Sequence, residues 1–188
     1  MFYWKFLDLP AVPRHLKEQA LAVLDKKDEE KIVNPHILYA HGRTLTMDGK
    51  EHGHSSGFGI RNISTEMEDW VEQNILPTRR VGIGSTVPGF DHCGPHRDQS
   101  REFSLLYLLK SGSENATTKF WELKTPAPME YYYSNYDDLI LVDQVTAPLE
   151  QWYIVNAKAI HSVENVSEGR ISIQIGLMAD QLPQSWLD

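Results

Sequence analysis

Three side chains that can bind a metal stand at spacings that would let them share one ion. His96 and Asp98 are two residues apart, so in an extended segment their side chains leave the same face of the chain. His161 comes much later, at the start of a β-rich run, and a sheet that closes on itself can return such a residue to the first two. Two imidazoles and one carboxylate leave coordination positions open, which suits Fe(II) in oxygenases, whereas a structural zinc site is closed.

A second polar pair follows near the end of the chain. Arg170 precedes the β-rich run 171–177, and Ser172 is two residues further on, so both belong to the same face of that strand. A guanidinium binds a carboxylate bidentately, and a neighbouring hydroxyl can donate a hydrogen bond to the same group. The pair therefore predicts a site for one carboxylate of a dicarboxylic ligand. Ile171 and Ile173 point the other way, and we expect them to pack between two sheets.

Seven short β-rich runs, each bounded by turn residues, fill the second half of the chain. They cover residues 81–84, 103–109, 118–123, 139–142, 152–155, 161–163 and 171–175. Before them, apolar residues at helical spacing predict one helix that begins at Pro13, and a capping-box pattern from Thr65 predicts a second helix that Pro77 ends. Residues 41–57 show no periodicity and indicate a loop or irregular hairpin. Strands without intervening helices indicate a sandwich, barrel or jelly roll.

The length and composition fit one globular domain. The chain has 188 residues, of which 41% are hydrophobic and 23% charged. No internal repeat or interdomain linker is visible, so we expect a single domain over residues 1–188. Helices and loops in residues 1–79 would then support a β core at residues 80–178.

Charge and cysteine usage limit the partners and the compartment. The net charge of −8 and the pI of about 5.4 argue against a nucleic-acid backbone or an anionic membrane as the main partner. The single cysteine, Cys93, cannot form an internal disulfide and suits a reducing compartment. No apolar run approaches the roughly 20 residues that span a bilayer, and the first residues do not show a signal-peptide pattern. We therefore expect a cytoplasmic protein.

The candidate residues together match a known motif. In their order and approximate spacing, His96-Arg-Asp98, His161 and Arg170-Ile-Ser172 resemble the HxD…H…RxS pattern of the 2-oxoglutarate/Fe(II)-dependent oxygenase superfamily. The chain is similar in particular to small bacterial and phage members related to prolyl and aspartyl/asparaginyl hydroxylases. HxD alone is common, and the later histidine followed by RxS in a β-rich region makes the pattern more specific.

The resemblance implies a fold and a set of roles. It covers roughly residues 80–178, which would form a double-stranded β-helix of the jelly-roll, cupin-like type. The HxD…H residues would bind Fe(II), and Arg170 with Ser172 would bind the C5 carboxylate of 2-oxoglutarate. A further strand residue would donate to this cosubstrate, and Tyr107, taken to face inward by alternation, is the candidate.

The resemblance also implies a reaction. Such an enzyme uses O₂ and 2-oxoglutarate to hydroxylate a C–H bond, with formation of succinate and CO₂. The kinship with prolyl and aspartyl/asparaginyl hydroxylases favours a protein, peptide or amino-acid substrate over a small metabolite. Two other functions stay open: a cupin-type metal enzyme that does not use 2-oxoglutarate, and a non-catalytic β-sandwich binding module with incidental histidines.

Several residues have alternative roles. Arg170 could form a surface ion pair with Glu164 or Glu168. His92 is a rival metal ligand four residues before His96, although Gly-Pro between them disfavours a helix that would align the two. Asn156 could serve a turn or fix the orientation of a ligand from the metal's surroundings.

Overall fold

A computed structural model of the protein describes residues 2–25, 44–45, 51–52, 58–86, 93–98, 100–129, 133 and 135–187. The loop predicted at residues 41–57 lies mostly outside these residues, and His92 lies outside them entirely. The described part of the chain is mainly β, with two antiparallel sheets and few helices. None of its helices is long and apolar enough to cross a membrane.

The described elements follow one another in this order. The strands are β1 Trp4–Phe6, β2 Thr44–Leu45, β3 Glu51–His52, β4 Phe58–Asn62, β5 Val81–Thr86, β6 Cys93–His96, β7 Phe103–Lys110, β8 Thr117–Leu123, β9 Leu139–Val145, β10 Trp152–Asn156, β11 Ile160–Glu164 and β12 Ile171–Leu177. The helices are α1 Arg14–Asp25, α2 Thr65–Asn74 and α3 Gln184–Leu187, with short 3₁₀ helices at Tyr136–Asp138 and Ala179–Gln181.

The strands form two main sheets. The larger has six strands in the order β1-β10-β7-β12-β5-β4, and the smaller has four in the order β6-β11-β8-β9. Strands β2 and β3 pair separately. Neighbouring strands are antiparallel throughout.

One core lies between the six-stranded sheet and the first two helices. Leu16 and Ala20 of α1, and Met67 and Val71 of α2, are buried against side chains of this sheet, including Ile173. Because full burial of an aliphatic side chain stabilises a fold by roughly 1.5–3 kcal/mol, this face carries much of the folding energy. The expectation that Ile171 and Ile173 pack between the sheets is wrong, because the helices cover their face of β12.

A second core lies between the two sheets. It contains apolar side chains from strands of both sheets and from the loop after β9: Leu108, Phe120, Val145, Ala147, Tyr153 and Val155. Since side chains alternate along a strand, Leu108 faces this interior while Tyr107 faces the helices. A third cluster packs on the smaller sheet around Tyr133, Leu139 and Ile160.

The helix predictions are confirmed, with small shifts at the ends. Pro13 accepts the first backbone hydrogen bond of α1, from Leu16 N at 3.1 Å. The cap of α2 is Ser64, one residue earlier than the predicted box, and its hydroxyl accepts from Met67 N at 3.3 Å. The helix ends at Asn74, before Pro77.

All seven predicted strands are present, and each is one to three residues longer than the run that indicated it. Two strands of the first segment were not predicted. β1 pairs with β10, with Trp4 opposite Val155, and β4 pairs with β5, with Phe58 opposite Thr86. Residues 1–79 therefore extend the larger sheet at both edges as well as supplying helices.

Candidate metal centre

The three predicted metal ligands converge at one end of the smaller sheet. His96 ends β6 and lies opposite His161 of the neighbouring strand β11, with ring centroids 4.3 Å apart. Asp98 follows just beyond the end of β6, and its Oδ1 is 3.6 Å from His96 Nε2. One donor atom from each side chain lies within 4.8 Å of the others, as a shared metal ion requires.

Backbone carbonyls orient both imidazoles. His96 Nδ1 lies 2.8 Å from Gly94 O, and His161 Nδ1 lies 3.0 Å from Ala159 O. A carbonyl only accepts hydrogen bonds, so each Nδ1 carries the proton and donates. In its neutral form each imidazole therefore offers its Nε2 lone pair to a metal, which is the arrangement that metal-binding histidines usually show.

Asp98 is held through its carboxylate and through its backbone. Arg101 Nε donates to its Oδ2, the Asp98 backbone N donates to Ala157 O at 2.8 Å, and Lys158 Nζ donates to Asp98 O at 2.9 Å. Burial disfavours the charged carboxylate, but the Arg101 guanidinium and the neighbouring His96 and His161 imidazoles outweigh burial, so the pKa of Asp98 lies well below its usual range. Asp98 is therefore ionised and available to a cation.

One turn supports two of the three ligands. Asn156 Oδ1 accepts from Lys158 N at 3.0 Å and from Ala159 N at 3.3 Å, which closes the turn between β10 and β11. The carbonyls of Ala157 and Ala159 in this turn accept from the Asp98 backbone and from the His161 ring. Asn156 therefore serves a turn, and that turn supplies the two carbonyls that accept from Asp98 and His161.

The two histidines differ in their electrostatic surroundings. Burial and the neighbouring His96 lower the pKa of His161 to about 4, so its ring is neutral at neutral pH. Burial also acts to lower the pKa of His96, but the nearby Cys93 and Asp98 side chains raise it above its usual value. A metal that binds here would displace a proton from His96, as metal binding to imidazole generally does.

Cys93 lies beside this cluster. Its sulfur is 3.7 Å from His96 Nδ1, the nitrogen that faces the Gly94 carbonyl. The donor set that converges is therefore two imidazole nitrogens and one carboxylate oxygen. Such a set leaves coordination positions open and suits a catalytic divalent ion such as Fe(II), Mn(II) or Zn(II).

Arg170 lies in the space between the two sheets. Its residue is only 4% exposed, and its Nη2 donates to the Tyr153 hydroxyl at 3.1 Å and to Thr118 Oγ1 at 3.4 Å. Ser172, on the same face, is also buried, and its Oγ accepts from Gln174 Nε2 at 3.0 Å. Arg170 and Ser172 therefore share one interior face of β12, as their spacing predicted.

The two glutamates considered as partners of Arg170 pair with lysines. Glu164 pairs with Lys119, and Glu168 Oε2 lies 3.3 Å from Lys110 Nζ. The buried position of Arg170 therefore argues against a surface ion pair with either glutamate.

The structure does not bring Tyr107 to this site. Its ring lies 4.9 Å from that of Trp152 in the helix-side core, on the opposite face of the larger sheet from Arg170. The expectation that Tyr107 faces the interior between the sheets is wrong. Side chains alternate along β7, and Tyr107 belongs to the set that faces the helices. Tyr153, which the sequence did not single out, occupies the interior and contacts Arg170 instead. Arg101 was also missed, although its position three residues after Asp98 was a usable signal.

Comparison with known proteins adds no family to this description. No protein-family model matches the chain, and no curated protein matches it closely enough to indicate a relationship.

Proposed function

We propose that the protein is an Fe(II)- and 2-oxoglutarate-dependent oxygenase with a double-stranded β-helix core. The strand order supports this fold. When the eight strands from β5 to β12 are numbered one to eight, the larger sheet contains them in the order 6-3-8-1 and the smaller in the order 2-7-4-5. This is the order that two nested Greek keys produce in a jelly roll.

The observation that carries the functional proposal is the shared interior of the metal cluster and the buried guanidinium. Arg170 contacts Thr118 of β8, and His161 lies opposite Phe120 of the same strand. Thr118 and Phe120 point to the same face, and two residues of a strand span roughly 7 Å. That separation is comparable with the length of a five-carbon dicarboxylate, which would reach from the metal to the guanidinium.

Buried polar atoms without partners favour a polar ligand in this space. Within the described residues, Ser104 Oγ and Gln174 Oε1 are buried and make no hydrogen bond. Both belong to the interior face of the larger sheet, because their neighbours along the strands pack against the helices. Buried polar groups are rarely left unsatisfied in proteins, so a bound ligand or its water is the natural partner.

Two glycines of β5 leave room beside the polar side chains of β12. Gly82 and Gly84 of β5 lie directly opposite Gln174 and Ser172 of β12. The residues present therefore fit an iron ion with 2-oxoglutarate: His96, Asp98 and His161 would hold the ion, while Arg170 and Ser172 would hold the far carboxylate.

The bound iron and cosubstrate would supply the oxidation. One oxygen atom of O₂ enters a substrate C–H bond as a hydroxyl group, and the other enters succinate as 2-oxoglutarate loses CO₂. The chain itself would orient the cosubstrate and exclude water, and apolar side chains such as Phe120 and Leu108 line the interior for this purpose. We propose a protein, peptide or amino-acid substrate, in line with the hydroxylases that the motif resembles.

Uncoupled turnover tests this proposal. Purified protein with Fe(II), ascorbate and 2-oxoglutarate is expected to form succinate slowly even without the primary substrate. The His161→Ala variant is expected to form none, and Arg170→Met to require much more 2-oxoglutarate, while the exposed Arg14→Met serves as the matched control. Metal-dependent oxidation of another compound that is insensitive to Arg170→Met would favour a cupin-type enzyme. A folded protein that binds no metal would favour a binding module.

A further inference from the structure

Arg101 holds one oxygen of the proposed carboxylate ligand. Its Nε donates to Asp98 Oδ2, and both side chains are largely buried, with 18% and 12% of their surface exposed. The other oxygen, Oδ1, is the one that lies 3.6 Å from His96 Nε2. The two oxygens therefore have different surroundings: Oδ2 faces a guanidinium, and Oδ1 faces the imidazole that would share the metal.

The position of Arg101 is fixed by the fold around it. The next residue, Glu102, donates from its backbone N to Leu177 O at 2.9 Å and accepts from Ala157 N at 2.8 Å. The stem of Arg101 lies over Gly176 of β12, where a Cβ would be 3.3 Å from Arg101 Cδ. This is tighter than an ordinary van der Waals contact, so the absence of a side chain at Gly176 makes room for the arginine.

We propose that Arg101 is a positioning residue that restricts Asp98 to a single bond with the metal. This inference rests on the proposed metal centre. An octahedral ion bound by two imidazoles and one carboxylate oxygen keeps three open positions. A carboxylate that bound through both oxygens would occupy a fourth position and leave two. A cosubstrate that chelates through two atoms and O₂ together need three, so the hydrogen bond from Arg101 preserves the position that the reaction requires.

Counting the exchangeable waters on a bound Mn(II) ion tests this directly. Mn(II) suits the same oxygen and nitrogen donors, and the relaxation of solvent water protons reports how many waters it carries. At saturating protein, the wild type is expected to hold about three waters. In Arg101→Met, Oδ2 becomes free to bind the metal, and we expect the water relaxation to fall by about a third. A merely structural role of Arg101 would not change this count.

Matched variants separate the contact between Arg101 and Oδ2 from effects on folding. Arg101→Lys keeps a cationic donor near Oδ2 and is expected to retain the wild-type water count. Gly176→Ala displaces the arginine stem and is expected to give an intermediate value. Arg14→Met, at an exposed site, is expected to change nothing. If Arg101→Met does not fold, as judged by thermal melting, Arg101→Gln takes its place, because its shorter side chain does not reach Oδ2.

The outcomes distinguish this inference from the proposed function. An Arg101→Met or Arg101→Gln protein with the wild-type water count overturns the role of Arg101 and leaves the oxygenase proposal standing. If the wild-type Mn(II) complex holds about three waters and the variant holds fewer, the role of Arg101 is supported. If 2-oxoglutarate displaces none of the wild-type waters, the oxygenase proposal is contradicted. A wild type that binds no Mn(II) overturns both.

Discussion

The two faces of β12 differ in what they contribute. The face toward the helices consists of aliphatic side chains. The face toward the smaller sheet consists of polar residues and a glycine, and Arg170, just before the strand, belongs to it. The first set is Ile171, Ile173, Ile175 and Leu177, and the second is Arg170, Ser172, Gln174 and Gly176. A single stretch of chain thus serves the main core on one side and the candidate site on the other.

The difference teaches how this fold divides stability from chemistry. Burying a polar group costs free energy unless a partner satisfies it, so the inner face stabilises the fold less than an aliphatic one would. The helix-side core compensates, since it contains most of the buried large aliphatic side chains among the described residues. Substitutions on the two faces should therefore have separable effects on folding and on ligand binding.

The largest effect is expected on the outer face. Ile173→Ala removes a fully buried side chain and leaves a cavity between β12 and the helices, so it should lower the free energy of unfolding by about 2–5 kcal/mol. Urea denaturation measures the change, with the exposed Ile140→Ala as a control that should stay within about 0.5 kcal/mol. The Mn(II) affinity of the folded variant should not change. A large loss of affinity would show that the two faces are not separable.

The second effect concerns the inner face. Arg170→Met should raise the dissociation constant of 2-oxoglutarate, measured by calorimetry with Mn(II) bound, on the order of 100-fold, because a charge-assisted, bidentate contact is lost. Its free energy of unfolding should change little or rise, because an apolar replacement avoids the cost of burying a charge. Arg170→Lys should recover only part of the affinity, since an ammonium lacks the planar pair of donors. Equal affinities in all three proteins would contradict the assigned role.

The third effect compares two asparagines that close turns. Asn156 supports two ligands through its turn, whereas Asn135 accepts from Asp137 N at 3.1 Å at the start of a 3₁₀ helix. Either substitution by alanine should lower stability by about 1 kcal/mol. Only Asn156→Ala should weaken Mn(II) binding, by roughly 10–100-fold, as loss of ligand-orienting groups does elsewhere. Equal Mn(II) affinities in the two variants would reduce Asn156 to an ordinary turn residue.

The smallest effect distinguishes two tyrosines on opposite faces. Tyr153→Phe removes the hydroxyl that accepts from Arg170 and should raise the 2-oxoglutarate dissociation constant by up to about 10-fold. Tyr107→Phe removes a hydroxyl in the helix-side core and should leave that constant unchanged. The same calorimetric titration checks both. A reversed order would restore Tyr107 as the cosubstrate contact.

Much of the fold follows from local patterns in the sequence. Each of the seven predicted strands has its own β-rich run and turn residues, and α1 has an apolar face that begins after a proline. β1 was missed because its partner β10 lies far along the chain, and β4 was missed because it is a five-residue edge strand that contains a glycine. Such pairing depends on tertiary contacts that a short window does not contain.

The candidate site follows from the sequence only in part. Residue types and spacing indicated the metal cluster and Arg170, since few other roles require HxD, a later histidine and RxS together. The direction of Tyr107 did not follow, because both faces of the larger sheet are buried and apolar residues occupy neighbouring positions of β7. Alternation defines two faces, but the packing of helices and sheets decides which of them faces the site.

The most direct test of the central claim is an anaerobic titration of the metal-free protein, first with Fe(II) and then with 2-oxoglutarate. A visible charge-transfer band that forms on the second addition, is absent in His161→Ala and needs far more 2-oxoglutarate in Arg170→Met is the result that the proposed oxygenase predicts. Iron binding without such a band at any 2-oxoglutarate concentration would contradict the claim.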